Sequence, residues 1–138
     1  MLWEKLGALV VAVTQNPQEV ALHLDKAYAS GLDRVISIGG DGTNHAMVNA
    51  LAALSEKHPD GPPVTYGILP VGTGRDWARS AGIPMSIDDA AAWIASAGPT
   101  PTDIGLVTWE SGRREHFLNI ASAGISGEVD RRVNSVKR

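Results

Sequence analysis

Three glycines, Gly39, Gly40 and Gly42, surround Asp41 and are followed by Thr43 at the end of an apolar run, Val35-Ile36-Ser37-Ile38. The run has strand length and a helical pattern continues from Thr43 to about Leu54, so the spacing predicts strand, tight turn and helix. A turn of this kind can hold phosphate. Glycine lets the backbone come close to a ligand, and the N–H groups of the first helical turn face the same spot with the positive end of the helix dipole behind them. Read alone, the turn fits a plain strand-to-helix connection equally well, with Asp41 or Thr43 capping the helix.

A second stretch repeats the arrangement. Tyr66-Gly67-Ile68-Leu69-Pro70-Val71 is strand-like, and Gly72-Thr73-Gly74-Arg75-Asp76 leads from it into Trp77-Ala78-Arg79-Ser80-Ala81, which has helical composition. Two glycine-rich turns thus leave the carboxyl ends of two strands. In an open parallel sheet such ends share one edge, and ligands bind there.

Together these residues resemble the catalytic domain of diacylglycerol kinases, a domain shared with sphingosine kinases and bacterial lipid kinases. The likeness rests on Gly39-Gly40-Asp41-Gly42-Thr43 with His45, Val48, Asn49 and Leu51 behind it. It continues through residues 69–79 and Gly82-Ile83-Pro84. It extends over about residues 20–129, with residues 117–124 similar to the strand that leads into the family's second domain. The resemblance implies a Rossmann-like three-layer α/β/α parallel sheet of the NAD kinase and diacylglycerol kinase N-terminal type, followed by the start of a β-rich second domain. Residues 1–100 would be the nucleotide-binding α/β domain without its first strand, and 101–138 a β-hairpin and tail.

The resemblance also implies roles. Gly39, Gly40, Gly42 and Thr43 would cradle the phosphates of ATP, and Gly72, Thr73 and Gly74 would line the opposite wall. Asp41 is the candidate catalytic residue, orienting magnesium-bound water or accepting the proton of the attacking hydroxyl; a turn-stabilising aspartate is the plain alternative. Asp76 matches the family's aspartate in the second turn, with helix capping as its structural role. ATP and Mg2+ are the implied cofactors, with no residue assigned to the metal, and a membrane lipid the implied acceptor. His45 matches a histidine of the sphingosine kinase motif.

Two positions depart from the family. Ala46 stands where a glutamate is common and supplies no carboxylate. Arg75 stands where an asparagine is common; it either meets phosphate charge directly or is an ordinary surface arginine. Family members usually open with a strand and an asparagine-proline-glycine loop and continue into a second domain that shapes the lipid site. Neither stands in this sequence, which therefore reads as the middle of a family member.

Composition sets wider limits. The 138 residues suit about one domain, and 43% hydrophobic with 20% charged residues fits a globular protein. A net charge of −3 gives no basic face for nucleic acid. No cysteine is present, which excludes disulfides and thiol catalysis, and the four histidines lack zinc spacing. The longest apolar stretch, residues 6–13, is far below the ~20 residues of a membrane span, so the sequence reads as cytoplasmic with membrane contact at its surface.

The elements follow from pattern. Residues 8–14 read as a buried β-branched strand. Asn16-Pro17-Gln18-Glu19 opens a helix that Gly31 ends. Residues 34–38 and 64–69 give further strands, and 43–56 a helix with Met47, Val48, Leu51 and Leu54 on one face. Ser86-Ile87-Asp88-Asp89 resembles a cap before a helix over residues 90–95, which Gly98-Pro99 ends. Residues 102–109 and 115–121 form a hairpin turning at Ser111-Gly112, and residues 128–138 a weak amphipathic helix or solvated tail. Trp3, Trp77, Trp93 and Trp109 are expected to pack in core or interface.

The first functional reading is an ATP-dependent lipid kinase catalytic domain that phosphorylates diacylglycerol or a sphingoid-like lipid. An NAD kinase-like phosphotransferase shares the first turn. A third reading is a non-catalytic nucleotide-binding remnant that forms a homodimer through open strand edges.

Overall fold

Asn16 and Pro17 open the first helix as their types dictate. In the computed structural model, which describes residues 4, 6–122 and 124–136, the Asn16 side chain accepts from the Glu19 amide at 2.9 Å, and Glu19 reaches back to the Gln15 amide at 2.8 Å. This reciprocal cap, with Pro17 in the first turn, starts α1 (Pro17–Ala29). Gly31 ends it at φ 89°: the amides of Gly31 and Leu32 fold back onto the carbonyls of Tyr28 and Ala27, at 2.9 and 3.0 Å.

The chain continues through β1 (Arg34–Gly39), α2 (Asp41–Lys57), β2 (Thr65–Pro70), α3 (Asp76–Ser80) and α4 (Ile87–Ser96). A hairpin of β3 (Gly105–Thr108) and β4 (Arg114–Phe117) follows, then α5 (Ile125–Val136). Strands β1 and β2 pair in parallel, from Arg34 opposite Thr65 to Gly39 opposite Pro70. The hairpin is antiparallel, with Gly105 opposite Phe117.

The strands supply side chains to two cores, and Tyr66 touches both. On one face Val35 and Tyr66 pack with Val20, Leu24, Met47, Ala50 and Leu54 of α1 and α2. On the other, Ile36 and Leu69 meet α3 and α4 through Ala78, Ala90, Ala91 and Ile94. Ala90 and Ala91 are fully buried, so α4 lies close to the sheet, and a Cβ on Gly67 would sit 3.4 Å from Ile94. The expected α/β/α layering is therefore formed.

Several expectations are corrected. Residues 8–14 form no strand among the described residues, and Val10, Val11 and Val13 are exposed. Their β-branched pattern suits a pleated surface, but a strand exists only where another strand takes its ladder bonds, and among the described residues β1 pairs with β2 alone. Helix α2 begins at Asp41, two residues before Thr43, because Gly40 is extended (φ −105°, ψ −162°) and its carbonyl takes the first helical bond from Asn44 at 3.0 Å.

The hairpin strands are shorter than expected. After β4 the chain leaves the ladder, and the turn closes through Trp109 and Arg113 with Gly112 at φ 82°. Trp77 packs against the α3–α4 core, but Trp93 and Trp109 are exposed; Trp109 carries the Arg113 guanidinium 4.8 Å above its ring. Trp3, Ala123, Lys137 and Arg138 lie outside the described residues.

Leu69 is 1% exposed at the centre of the α3–α4 core. Leu69→Ala is expected to lower stability by about 3 kcal/mol, seen as a lower urea midpoint at unchanged slope.

Candidate functional site

The two glycine turns touch backbone to backbone. A Cβ on Gly40 would lie 2.9 Å from the Gly72 Cα, and one on Gly72 would overlap the Gly40 Cα. The Val71 amide donates to the Gly39 carbonyl at 3.1 Å, which carries the parallel ladder to the brink of both turns. Only residues without side chains permit this approach.

Asp41 then joins the turns chemically. Its Oδ1 accepts from the Asp76 amide at 3.0 Å and the Trp77 amide at 3.5 Å, and its Oδ2 lies 3.3 Å from the Asp76 amide. A residue of the first turn of α2 thereby caps the start of α3. Gly74 has no room for a side chain because Asp41 Oδ2 fills the space. Asp76 itself pairs with Arg79 at 2.8 Å across the exposed face of α3.

At the start of α2 the opposite holds. The amides of Asp41, Gly42 and Thr43 precede the first helical bond and find no acceptor among the described residues. A Cβ on Gly42 would meet nothing within 4 Å, and Thr43 is exposed.

Of the nine expected site residues, Gly39, Gly40, Asp41, Gly42, Thr43, Gly72, Thr73 and Gly74 gather at this one sheet edge. The side chain of Arg75 turns elsewhere: Nη1 lies 3.5 Å from the Met85 carbonyl, and Nε is buried without a partner. Arg75 is also the non-glycine residue of positive φ among those described, at φ 61°, ψ 31°.

Beside the turns, Asp41, Asn44, His45 and Val48 of α2, Asp76 and Trp77 of α3 and residues 117–120 wall a cleft of about 260 Å³. The last wall is held by Asn49, whose Oδ1 accepts from the His116 amide at 2.8 Å and whose Nδ2 donates to the His116 carbonyl at 2.9 Å. Arg114 reaches Glu56 at 3.2 Å, and His45 lies 3.5 Å from Glu115. The Glu115 carboxyl is held below its usual range, first by the Arg113 hydrogen bond and further by the charges of Arg113 and His45.

Beneath the cleft runs a buried polar chain. Ser37 Oγ lies 2.7 Å from the Tyr66 hydroxyl, which donates to Asn44 Oδ1 at 2.8 Å. Burial pushes the Tyr66 hydroxyl up to about 12, against the opposing pull of the Ser37 hydrogen bond. Neither Asn44 nor this chain follows from the sequence pattern, and Asn49 carries no role there. The one available signal was an asparagine inside an otherwise apolar helical face.

Residues 1–107 match the family of the diacylglycerol kinase catalytic domain. The chain belongs to that family. A diacylglycerol kinase of Mycobacterium tuberculosis (strain ATCC 25618 / H37Rv) is 35% identical over 133 residues, covering 95% of this chain and 40% of the relative. A Yersinia enterocolitica protein named probable lipid kinase YegS-like is 31% identical over 121 residues, 88% of this chain and 38% of its own length. The crystal structure of a diacylglycerol kinase from Bacillus anthracis str. Sterne superimposes with a TM-score of 0.61 at 30% identity, over 75% of this chain and 35% of that one. This member of the diacylglycerol kinase family thus spans about 40% of the length of the relatives it matches.

Left-handed backbone costs an L residue roughly 1–2 kcal/mol, and asparagine bears it best after glycine. Arg75→Asn is therefore expected to raise stability by about 1 kcal/mol, since it also removes the unpartnered Nε; a lower melting midpoint would refute this. For Tyr66 the folded value lies above the unfolded one, so its contribution is complete below pH 10 and is lost as pH rises through about 12. Unfolding free energy should fall by about 2–3 kcal/mol over that window, and Tyr66→Phe should flatten the fall, measured by urea titration at each pH.

Proposed function

We propose that this chain is the nucleotide-binding part of an ATP-dependent lipid kinase that transfers the γ-phosphate to the hydroxyl of a diacylglycerol or sphingoid-like lipid. Residues 1–100 hold the nucleotide, and residues 101–138 begin a second, β-rich unit that closes over the acceptor. The observation that carries this reading is Gly42 beside three unbonded amides. Glycine in a helical turn costs about 1 kcal/mol relative to alanine. Nothing in the fold needs it there, so it serves the close approach of a ligand to the amides of Asp41, Gly42 and Thr43.

Those amides and the helix dipole suit phosphate oxygens. Gly39 and Gly40 keep the approach open, and Gly72, Thr73 and Gly74 stand opposite. Asp41 and Asp76 face one cleft, a donor set that fits a magnesium ion carried mostly by phosphates and water, whose charge would offset that of the phosphates. Asp41 keeps lone pairs to accept the proton of an attacking hydroxyl, and its bonds to α3 fix where they point. Arg75 would give up only a long contact to Met85 in order to meet phosphate charge.

The apolar side of the cleft, Val48, Trp77, Phe117, Leu118 and Ile120, favours a lipid over a dinucleotide as acceptor. No helix among the described residues is long and apolar enough to cross a membrane. We place the reaction at a membrane surface reached from the cytoplasm.

Gly42→Val should leave the melting midpoint within a degree or so and weaken Mg-ATP binding by at least about tenfold in calorimetry, since a branched side chain would cover the amides. Wild-type protein that took up no Mg-ATP at millimolar ligand, or a variant that bound it equally well, would refute the site.

A further inference from the structure

Asn44 is not needed for the phosphate contacts, yet it is a buried polar side chain at the cleft held by a relay of its own. It is 4% exposed and lines the cleft beside Asp41 and His45. Its Oδ1 accepts from Tyr66, so the single hydroxyl hydrogen of Tyr66 is used there, and the 2.7 Å contact with Ser37 must carry the Ser37 hydrogen. Ser37 is itself 5% exposed. In this arrangement the amide presents Oδ1 to Tyr66 and turns Nδ2 away from it.

Among the described residues Nδ2 has no protein acceptor, and it is not sealed from the cleft. A donor held in place at a cleft wall with its hydrogens free is made for a ligand oxygen. The neighbours decide which oxygen. Asp41 and Asp76 bring two carboxylates to the same wall, which oppose a bare anion but accept from a hydroxyl. A neutral alcohol both donates and accepts, and Val48 and Phe117 offer apolar surface to the chain that bears it.

We propose that Asn44 Nδ2 donates to the hydroxyl oxygen of the lipid acceptor and holds it beside Asp41, with Tyr66 and Ser37 as positioning residues that lock the amide. This rests on the lipid kinase reading and names the group that binds its acceptor.

The test follows the Asn44 side-chain NH2 signals by NMR in isotope-labelled protein, with separate arms for dioctanoylglycerol, free glycerol and Mg-ATP. The Asn44 pair should move with dioctanoylglycerol and stay still with Mg-ATP; glycerol should move it only at far higher concentration. Asn44→Leu should weaken dioctanoylglycerol binding about tenfold and Tyr66→Phe about threefold, as loss of one neutral hydrogen bond and loss of its orientation predict, with Mg-ATP affinity unchanged in both. Tyr66→Phe keeps the ring and its packing, so it carries the test if Asn44→Leu fails to fold. Wild-type affinity for dioctanoylglycerol in both variants, or an Asn44 signal that follows Mg-ATP alone, would overturn the proposal and leave the kinase reading standing. Wild-type protein that binds Mg-ATP but no dioctanoylglycerol would overturn the proposal as well, whereas failure to bind Mg-ATP would overturn the kinase reading itself.

Discussion

Everything at the sheet edge depends on the contact between Gly40 and Gly72. Two parallel strands end in register, Gly39 opposite Pro70, and the chain must turn into a helix after each. With side chains at these positions the turns would stand apart by the width of two methyl groups, and Asp41 would no longer reach the amides of Asp76 and Trp77. Backbone contact makes the carboxylate bridge feasible, and the bridge holds α3 where it can wall the cleft. A charged acceptor on backbone amides is among the stronger hydrogen bonds, so the bridge also resists separation of the turns.

That bridge leaves an asymmetry. At the start of α3 the amides of Asp76 and Trp77 are taken by Asp41, while at the start of α2 three amides find no acceptor among the described residues. An incoming anion therefore has one electrostatically favourable place beside the turns, not two. Asp41 sits at the boundary, its carboxylate directed at α3 and its own amide among the three that remain open. The hairpin completes the arrangement from a distance, because Asn49 pairs with both backbone groups of His116 and fixes where residues 117–120 can go.

Much of this was legible in residue types. The caps at Asn16 and Ser86, the stop at Gly31, the parallel pairing of residues 34–39 with 65–70 and the turn at Gly112 each follow from local chemistry that the surrounding structure does not override. The coming together of the two glycine turns was legible because both follow strands of one parallel sheet. Residues 8–14 misled because periodicity reports what a segment could pair with and not whether a neighbour is present. Asp76 looked like the cap of its own helix, yet the cap comes from Asp41, 35 residues earlier. The direction of Arg75 was illegible too, since a left-handed backbone at its own position aims the side chain at Met85.

The Ser37–Tyr66–Asn44 relay was the least readable feature, and its energetics explain why it exists. It joins β1, β2 and α2 across sequence separations of 29 and 22 residues, so no local pattern announces it. Buried polar groups that satisfy one another contribute little net stability over apolar groups of the same shape, whereas one left unpaired costs about 1–3 kcal/mol. Folding alone therefore gives no reason to place a serine, a tyrosine and an asparagine between two well-packed cores. The relay ends at the cleft with two hydrogens unspent. Stability gains nothing from that arrangement, and recognition does: an amide whose oxygen is held by Tyr66, itself backed by Ser37, offers its donor toward the cleft.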